Sequence, residues 1–245
     1  MRAFFLKRRD YMPQVTLTKR LHAISQLVEK GALVADIGTD HALLPISLVK
    51  SGICENVIAS DIAVGPLKSA SKNITAYSLQ DNIKTVLSNG LENVAQMSPQ
   101  NIIIAGMGGE TIRDILAACD YPKSSGALLI LQPMTHSELL RRFLIESGYS
   151  ILGETVVREG HRFYVIITAR FERVQEHYFE NTTGVFELGG ISNKTGECGG
   201  EYLLWQKGVF EKNLKQIEKS APSDSKNELT TYFSALIKET ERRIK

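Results

Sequence analysis

A short apolar run ends in an acid and a glycine turn in Leu33-Val34-Ala35-Asp36-Ile37-Gly38-Thr39-Asp40-His41. A helix-like segment follows at residues 42–51, and a second apolar run, residues 56–61, also ends in an acid, Asp61. A unit of this kind consists of a strand, a tight turn, a helix and a second strand that ends in an acid. Open parallel sheets use such a unit to bind the ribose of a nucleotide. Either run alone would also suit an ordinary buried strand. Together they predict a ligand site that contains Asp36 and Asp61, the latter beside the ribose hydroxyls.

The turn after the first run indicates which nucleotide binds. Dinucleotide enzymes place glycines there so that the backbone approaches a pyrophosphate at a helix N-terminus. Here the turn holds Thr39, Asp40 and His41 instead, and Asp36 and Asp40 would repel a pyrophosphate. An adenosine ligand with a cationic centre and no phosphate fits this charge better, so we expect S-adenosylmethionine. A dehydrogenase-like protein without methyl transfer is the alternative, which titration of NAD against S-adenosylmethionine would separate.

The composition restricts the class of protein. A chain of 245 residues, 43% of them hydrophobic, is long enough for one α/β domain and an appendage. Its three cysteines have neither metal-ligand nor disulfide spacing, so we expect no metal and a reducing, cytoplasmic location. No apolar run approaches the roughly 20 residues of a membrane span, so no membrane partner is expected. Residues 1–15 are interpreted as a leader, or as an upstream start ahead of Met12.

The order of elements predicts the fold. Buried strands are expected at residues 33–38, 56–61, 82–87, 101–105 and 127–131. Helices are expected at residues 16–30 with Thr16 as the cap, 42–51, 64–77, 110–119 and 135–147. Two longer β-rich runs, Tyr149–Val157 and Arg162–Phe171, are joined by a hairpin signal at Glu159-Gly160. Residues 16–172 therefore predict the α/β fold of class I methyltransferases, Rossmann-like, with a mostly parallel seven-stranded sheet.

The remainder of the chain predicts an appendage. Residues 173–200 are polar and glycine-rich, typical of an irregular connector outside the core. Residues 201–245 predict two amphipathic helices in an α-helical hairpin or coiled coil, with Tyr202 and Trp205 facing the second helix. Its basic residues are Lys207, Lys212, Lys215, Lys219, Lys238, Arg242, Arg243 and Lys245. Contact with RNA and an ordinary solvated face are equally compatible with these charges.

Three loops after the later strands hold further candidates. Asn89-Gly90 follows the third strand, where such folds hold the adenine of the cofactor, although a plain turn explains the pair as well. Gly106-Met107-Gly108-Gly109 replaces the Asn-Pro-Pro-aromatic pattern of enzymes that methylate exocyclic amines, and its glycines allow close backbone approach. Gln132 follows the fifth strand, where it can bind a base edge or simply end the strand.

These motifs resemble one family. Leu17-Thr18-Lys19-Arg20-Leu21, the segment from Ala35 to Ala42, Gly106–Gly109, Leu131-Gln132-Pro133-Met134 and the C-terminal hairpin are similar to the TrmK family, bacterial enzymes that methylate N1 of adenine 22 in tRNA. The resemblance implies S-adenosylmethionine as cofactor and tRNA as partner, and we expect a monomer. Asn89 departs from the acid expected there, and residues 187–201 lack the expected Gly-Pro-rich pattern. A methyltransferase acting on a small molecule or protein, with the hairpin used for dimerisation, is the alternative.

The residues and the resemblance together give the predicted site. The cofactor residues are Asp36, Gly38, Asp61, Ile62, Asn89, Gly90, Leu91, Gly106, Met107 and Gly108. The substrate residues are Lys19, Arg20, Gln132, Pro133 and Arg141, and the catalytic residues are Asp40, His41 and Tyr164. Adenine N1 carries a lone pair and needs no base, so positioning and a negative environment for the cationic product suffice. Asp40 is predicted to supply that charge and Tyr164 to stack the extruded base; a helix cap is the alternative for Asp40.

Overall fold

A computed structural model of the protein describes residues 15–172 and 183–245. The predicted leader, apart from residue 15, and residues 173–182 of the predicted connector lie outside the described residues. Among the described helices, none is long and apolar enough to cross a lipid bilayer.

A single sheet of seven strands organises the N-terminal part. Its order is β3-β2-β1-β4-β5-β7-β6. The strands are β1 (Val34–Ile37), β2 (Val57–Asp61), β3 (Ile83–Leu87), β4 (Asn101–Met107), β5 (Leu128–Pro133), β6 (Tyr149–Glu159) and β7 (Arg162–Phe171). The first five pair in parallel, and β7 is antiparallel to both β5 and β6. The predicted class I methyltransferase fold is confirmed.

The helices lie on both faces of this sheet. They are α1 (Lys19–Gln26), α2 (Leu43–Lys50), α3 (Val64–Ala76), α4 (Gly109–Ala117), α5 (Tyr121–Ser125), α6 (Ser137–Glu146), α7 (Val185–Leu188), α8 (Gly199–Glu218) and α9 (Asp224–Ile244). The first helix is shorter than predicted, and Thr18 rather than Thr16 caps it, because the Thr18 hydroxyl accepts a hydrogen bond from the Leu21 amide.

Two hydrophobic clusters cover the two faces of the sheet. Helices α1, α2 and α3 close one cluster, and α4, α6, α8 and α9 close the other. Leu188 and Ile191 are fully buried in the second cluster. The prediction that residues 173–200 form a connector outside the core is therefore wrong for its described part, which packs into the cluster closed by α4, α6, α8 and α9.

The C-terminal helices form the predicted hairpin. Phe210 of α8 packs on Phe233 of α9 with ring centroids 6.2 Å apart, and Leu236 is fully buried beside them. The contacts of Trp205 differ from those that the sequence predicts. Its ring lies against Tyr202 and against Phe163 of β7, and 51% of the residue is exposed.

Candidate active site

The carboxyl ends of the parallel strands gather most of the predicted residues at one edge of the sheet. Strand β1 ends in the turn Gly38–His41, and β2 beside it ends at Asp61. On the other side of β1, strand β4 ends in the Gly106–Gly108 loop, followed across the sheet by the end of β5 at Gln132. Because β7 runs antiparallel, its first residues, including Tyr164, reach the same edge.

Asp36 is the buried acid of this edge. Its pKa is raised from 3.8 to about 6, mainly because the carboxyl is buried; the Thr39 hydroxyl opposes this increase, and the nearby charge of Asp61 adds to it. The chain turns directly above it at Gly38, which adopts a φ of 78°. A side chain at that position would collide with the methyl group of Met107, which reaches across from the β4 loop. The turn therefore brings backbone close to the centre of the edge.

Asp61 and the loop after β3 form the other end of the candidate cofactor site. One Asp61 carboxylate oxygen accepts a hydrogen bond from the Ala63 amide at 2.8 Å, and the neighbouring Ile62 is 68% exposed. Asn89 and Gly90 line a cavity of about 370 Å³, where the Asn89 amide donates to Glu92. Leu91, also predicted here, is 1% exposed and belongs to the hydrophobic core. Its side chain therefore has almost no surface to offer a ligand.

Arg20, Gln132 and Tyr164 converge at the opposite end of the edge. The Arg20 guanidinium donates to the Gln132 side-chain oxygen at 2.5 Å and lies over the Tyr164 ring, 5.5 Å from its centroid. A guanidinium nitrogen of Arg20 lies 3.3 Å from the point where a side chain would begin at Gly106, so the missing side chain leaves room for it. The Arg20 backbone amide donates to Glu159, which sequence reasoning missed because the two residues are 139 positions apart. A cation is thus held against an aromatic ring beside the β4 loop.

The role predicted for Gln132 has to be corrected. Its side chain is fully buried, and its oxygen accepts from both Arg20 and the Gly106 amide. Its nitrogen donates to the carbonyl of Pro133, which is buried as well. The amide group is thus engaged inside the protein and holds Arg20 in place instead of binding a base edge.

Arg141 is not a substrate residue. It is 0% exposed and pairs with Glu154, 2% exposed, at 2.8 Å. Its guanidinium also donates to the Phe186 carbonyl at 2.7 Å. Burial lowers the pKa of Arg141, but the Glu154 carboxylate and the Tyr202 hydroxyl together more than offset this effect and leave the pKa raised. Together, the ion pair and the hydrogen bond to Phe186 join α6, β6 and α7. Arginine and glutamate are usually exposed, so the sequence does not reveal that this pair is buried.

Asp40 and His41 lie exposed in the turn after β1. Their side chains are 3.4 Å apart. The Asp40 side chain is 77% exposed to solvent and the His41 side chain is 54% exposed. Asp40 does not cap the following helix, since the capping position is Ala42 and no side chain bonds to the helix start there. Lys19 is exposed at the start of α1, near Arg20. Among the residues that the structure describes, no three His, Cys, Asp or Glu side chains are placed to hold a metal ion.

Comparison with known proteins agrees with this geometry. A family model described as a methyltransferase domain matches residues 17–167. The tRNA (adenine(22)-N(1))-methyltransferase of Bacillus subtilis (strain 168) is 32% identical over 206 residues, which cover 84% of this chain and 82% of that protein.

Two solved structures share the whole architecture. TrmK of M. capricolum, in complex with S-adenosyl-homocysteine, is 26% identical with a TM-score of 0.77, covering 93% of this chain and 99% of that one. Sp1610 of Streptococcus pneumoniae, in complex with S-adenosyl-L-methionine, is 28% identical with a TM-score of 0.74, covering 94% and 100%. The chain belongs to the TrmK family, the tRNA (adenine(22)-N(1))-methyltransferases.

Proposed function

We propose that this protein transfers a methyl group from S-adenosylmethionine to N1 of adenine 22 in tRNA. The observation that carries the proposal is the placement of Arg20 and Tyr164 beside the Gly106 loop, at the same strand edge as Asp36 and Asp61. Membership of the TrmK family supports the choice of substrate.

The residues fit the cofactor by charge and shape. Asp36 in β1 and Asp40 in the following turn place carboxylates, and Gly38 a tight backbone, where a pyrophosphate site would need several glycines. Asp36 and Asp61 would hold the cationic half and the ribose, and Asn89 with Gly90 would contact the adenine. When bound, S-adenosylmethionine supplies an electrophilic methyl group on a sulfonium centre. The buried carboxyl of Asp36 gains a cationic partner in this arrangement, which offsets the cost of its burial.

The chemistry at adenine N1 needs little from the protein except placement and charge. The N1 lone pair attacks without prior loss of a proton, and the methylated base is cationic. The exposed Asp40 carboxylate can accept a hydrogen bond from the adenine amino group and stabilise that charge. His41 lies beside Asp40 and would orient it.

Tyr164 is the proposed stacking partner of the target base. N1 lies on the Watson–Crick edge, so the adenine must leave its stack before it reacts. Arg20, fixed by Gln132, restrains the Tyr164 ring by lying against it. The Glu159 carboxylate beside the Arg20 backbone offsets the positive charge next to the cationic product.

The C-terminal hairpin is proposed to bind the tRNA phosphates. Lys212, Lys215 and Lys219 are exposed on one face of α8 and, within the described part of the chain, form no ion pair. Lys207, Arg242 and Arg243 are instead paired with glutamates, so they are weaker candidates. A row of unpaired lysines attracts phosphates without reading sequence.

The location and oligomeric state are also proposals. The three cysteines are free thiols, which suits the reducing cytoplasm where tRNA is modified. The protein is also proposed to act as a monomer.

Nucleoside mass spectrometry tests the proposed function. An unmodified tRNA transcript with adenine at position 22 is incubated with the protein and S-adenosylmethionine, and a transcript with guanine at that position is the control. We expect 1-methyladenosine from the first transcript alone. No methylated adenosine, or equal amounts from both transcripts, would contradict the proposal.

A further inference from the structure

An aromatic cluster with one exposed ring lies at the tip of the β6–β7 hairpin, on the face of the sheet opposite Arg20. Phe163 is 5.9 Å from Tyr202 and 6.0 Å from Trp205, and Tyr202 and Trp205 are 5.8 Å apart, all between ring centroids. Tyr202 is buried beneath the cluster, whereas 51% of Trp205 is exposed. Folding alone would favour burying an indole of this size, so its exposed face is available to a ligand.

An arginine is fixed against the same cluster. The Arg158 guanidinium lies 5.6 Å from the Phe163 ring centroid. It donates to Glu201 at 2.6 Å and to the Gly160 carbonyl at 3.1 Å. An aromatic face beside a restrained guanidinium is the combination on which proteins stack single-stranded bases.

The surroundings favour an RNA strand over an apolar partner. The hairpin tip adds the exposed side chains of His161 and Arg162 to that of Arg158. A cavity of about 630 Å³, lined by Lys19, His22 and Arg158 among others, opens between α1 and α8 next to the cluster. Glu197 and Glu201 also line it, but the Arg158 charge faces Glu201 and offsets it. Because Glu201 matches the Arg158 charge, Arg162 and Lys19, which form no ion pair among the described residues, are the cations left to meet a phosphate backbone.

The position relative to the target base gives the cluster its role. Phe163 and Tyr164 are consecutive residues of β7, so their side chains point to opposite faces of the sheet at the same edge. Tyr164 faces Arg20, and Phe163 faces Tyr202 and Trp205. An RNA strand that crosses this edge can place one base at Tyr164 and a neighbouring unpaired base at Trp205.

We propose that Trp205, supported by Phe163 and Arg158, stacks an unpaired base of the RNA substrate next to the methylated nucleotide. The proposal rests on the proposed function for the identity of the RNA, and it assigns a binding subsite outside the catalytic pocket. This subsite would hold the RNA strand once the target adenine has left its stack, because base pairing no longer fixes the strand there.

Trp205 is the single tryptophan of the chain, so its fluorescence reports on this subsite directly. Titration with the unmodified tRNA transcript is expected to quench the fluorescence to saturation, over the same concentrations that give binding in a filter assay. S-adenosylhomocysteine alone is expected to leave it unchanged, because the candidate cofactor residues lie at the other end of the sheet. Binding of the transcript without a change in fluorescence would overturn the proposal.

Variants provide the second readout. Trp205→Ala is expected to raise the KM for tRNA at least about fivefold, the smallest effect of losing one base–aromatic stack, with little change in the Kd for S-adenosylmethionine. Trp205→Phe keeps an aromatic face and should restore most of the affinity. Leu204→Ala is the matched control, since Leu204 is the adjacent residue of α8 and is 59% exposed. A wild-type KM for tRNA in Trp205→Ala would overturn the proposal.

A single-stranded oligonucleotide separates this proposal from the proposed function. If the wild-type protein leaves tRNA unmethylated, the proposed function fails. In that case, saturable quenching of Trp205 by the oligonucleotide would still support the stacking subsite. No quenching by the oligonucleotide would overturn it. If tRNA is methylated but neither RNA quenches Trp205, the subsite fails and the proposed function stands.

Discussion

Replacing Asp36 with asparagine should change how stability depends on pH. Its pKa is about 6 in the folded protein, compared with an ordinary value of 3.8. The folded protein therefore keeps a proton that the unfolded chain has already lost, and the free energy of unfolding falls as the pH rises from about 4 to about 6. The full decrease corresponds to about 3 kcal/mol. Asp36→Asn removes the ionisation and so removes this decrease.

Urea unfolding of the wild type and Asp36→Asn at two pH values measures the effect. The free energy of unfolding of the variant, relative to that of the wild type, should increase by about 2 kcal/mol between about pH 4.5 and about pH 7.5. The carboxylate form should also bind the cationic cofactor more tightly, so the wild-type Kd for S-adenosylmethionine should fall as the pH rises toward 6. Asp36→Asn should bind more weakly and lose that dependence. An identical stability difference at both pH values would refute the reasoning.

Three further substitutions test the rest of the site. Asp61→Ala should weaken S-adenosylmethionine binding by about 1–3 kcal/mol, the cost of a lost charged hydrogen bond, and unchanged affinity by calorimetry in the folded variant would remove Asp61 from the site. Asp40→Asn should lower kcat for tRNA methylation at least about tenfold, or about 1.4 kcal/mol, with cofactor affinity intact, and wild-type turnover would rule out its catalytic role. Replacing the lysines of the exposed α8 row with glutamines should weaken tRNA binding and flatten its dependence on salt, and an unchanged slope would show that the row does not contact phosphates. That triple variant is Lys212→Gln, Lys215→Gln and Lys219→Gln.

The elements that depend on local composition could be predicted from the sequence. Buried parallel strands are short apolar runs bounded by turn residues, which is why all seven strands were located to within a few residues. Asp36 near the end of β1 and Gly38 after it are two residues apart, so their proximity at the strand edge also follows from the sequence. The predicted first helix is longer than α1, because the apolar periodicity begins before the Thr18 cap and continues beyond the helix end at Gln26.

The roles that depend on distant partners could not be predicted. Arg141 has the sequence context of a solvated helix residue, and only the fold brings Glu154 and the Phe186 carbonyl around it. Gln132 is buried like the rest of β5, and its partner Arg20 lies 112 positions earlier in the chain, so no local pattern reveals their contact. Trp205 has the spacing of a helix–helix contact, yet its ring lies beside Phe163 at the tip of the β6–β7 hairpin.

The most direct test of the central claim is a map of the methylated position by primer extension on the unmodified tRNA transcript. A methyl group on N1 blocks the Watson–Crick edge and stops reverse transcription at that nucleotide. We predict a strong stop at adenine 22 after incubation with the wild-type protein and S-adenosylmethionine, and a much weaker one with Tyr164→Ala. A stop at another position, or a transcript copied without interruption by reverse transcriptase after that incubation, would contradict the account.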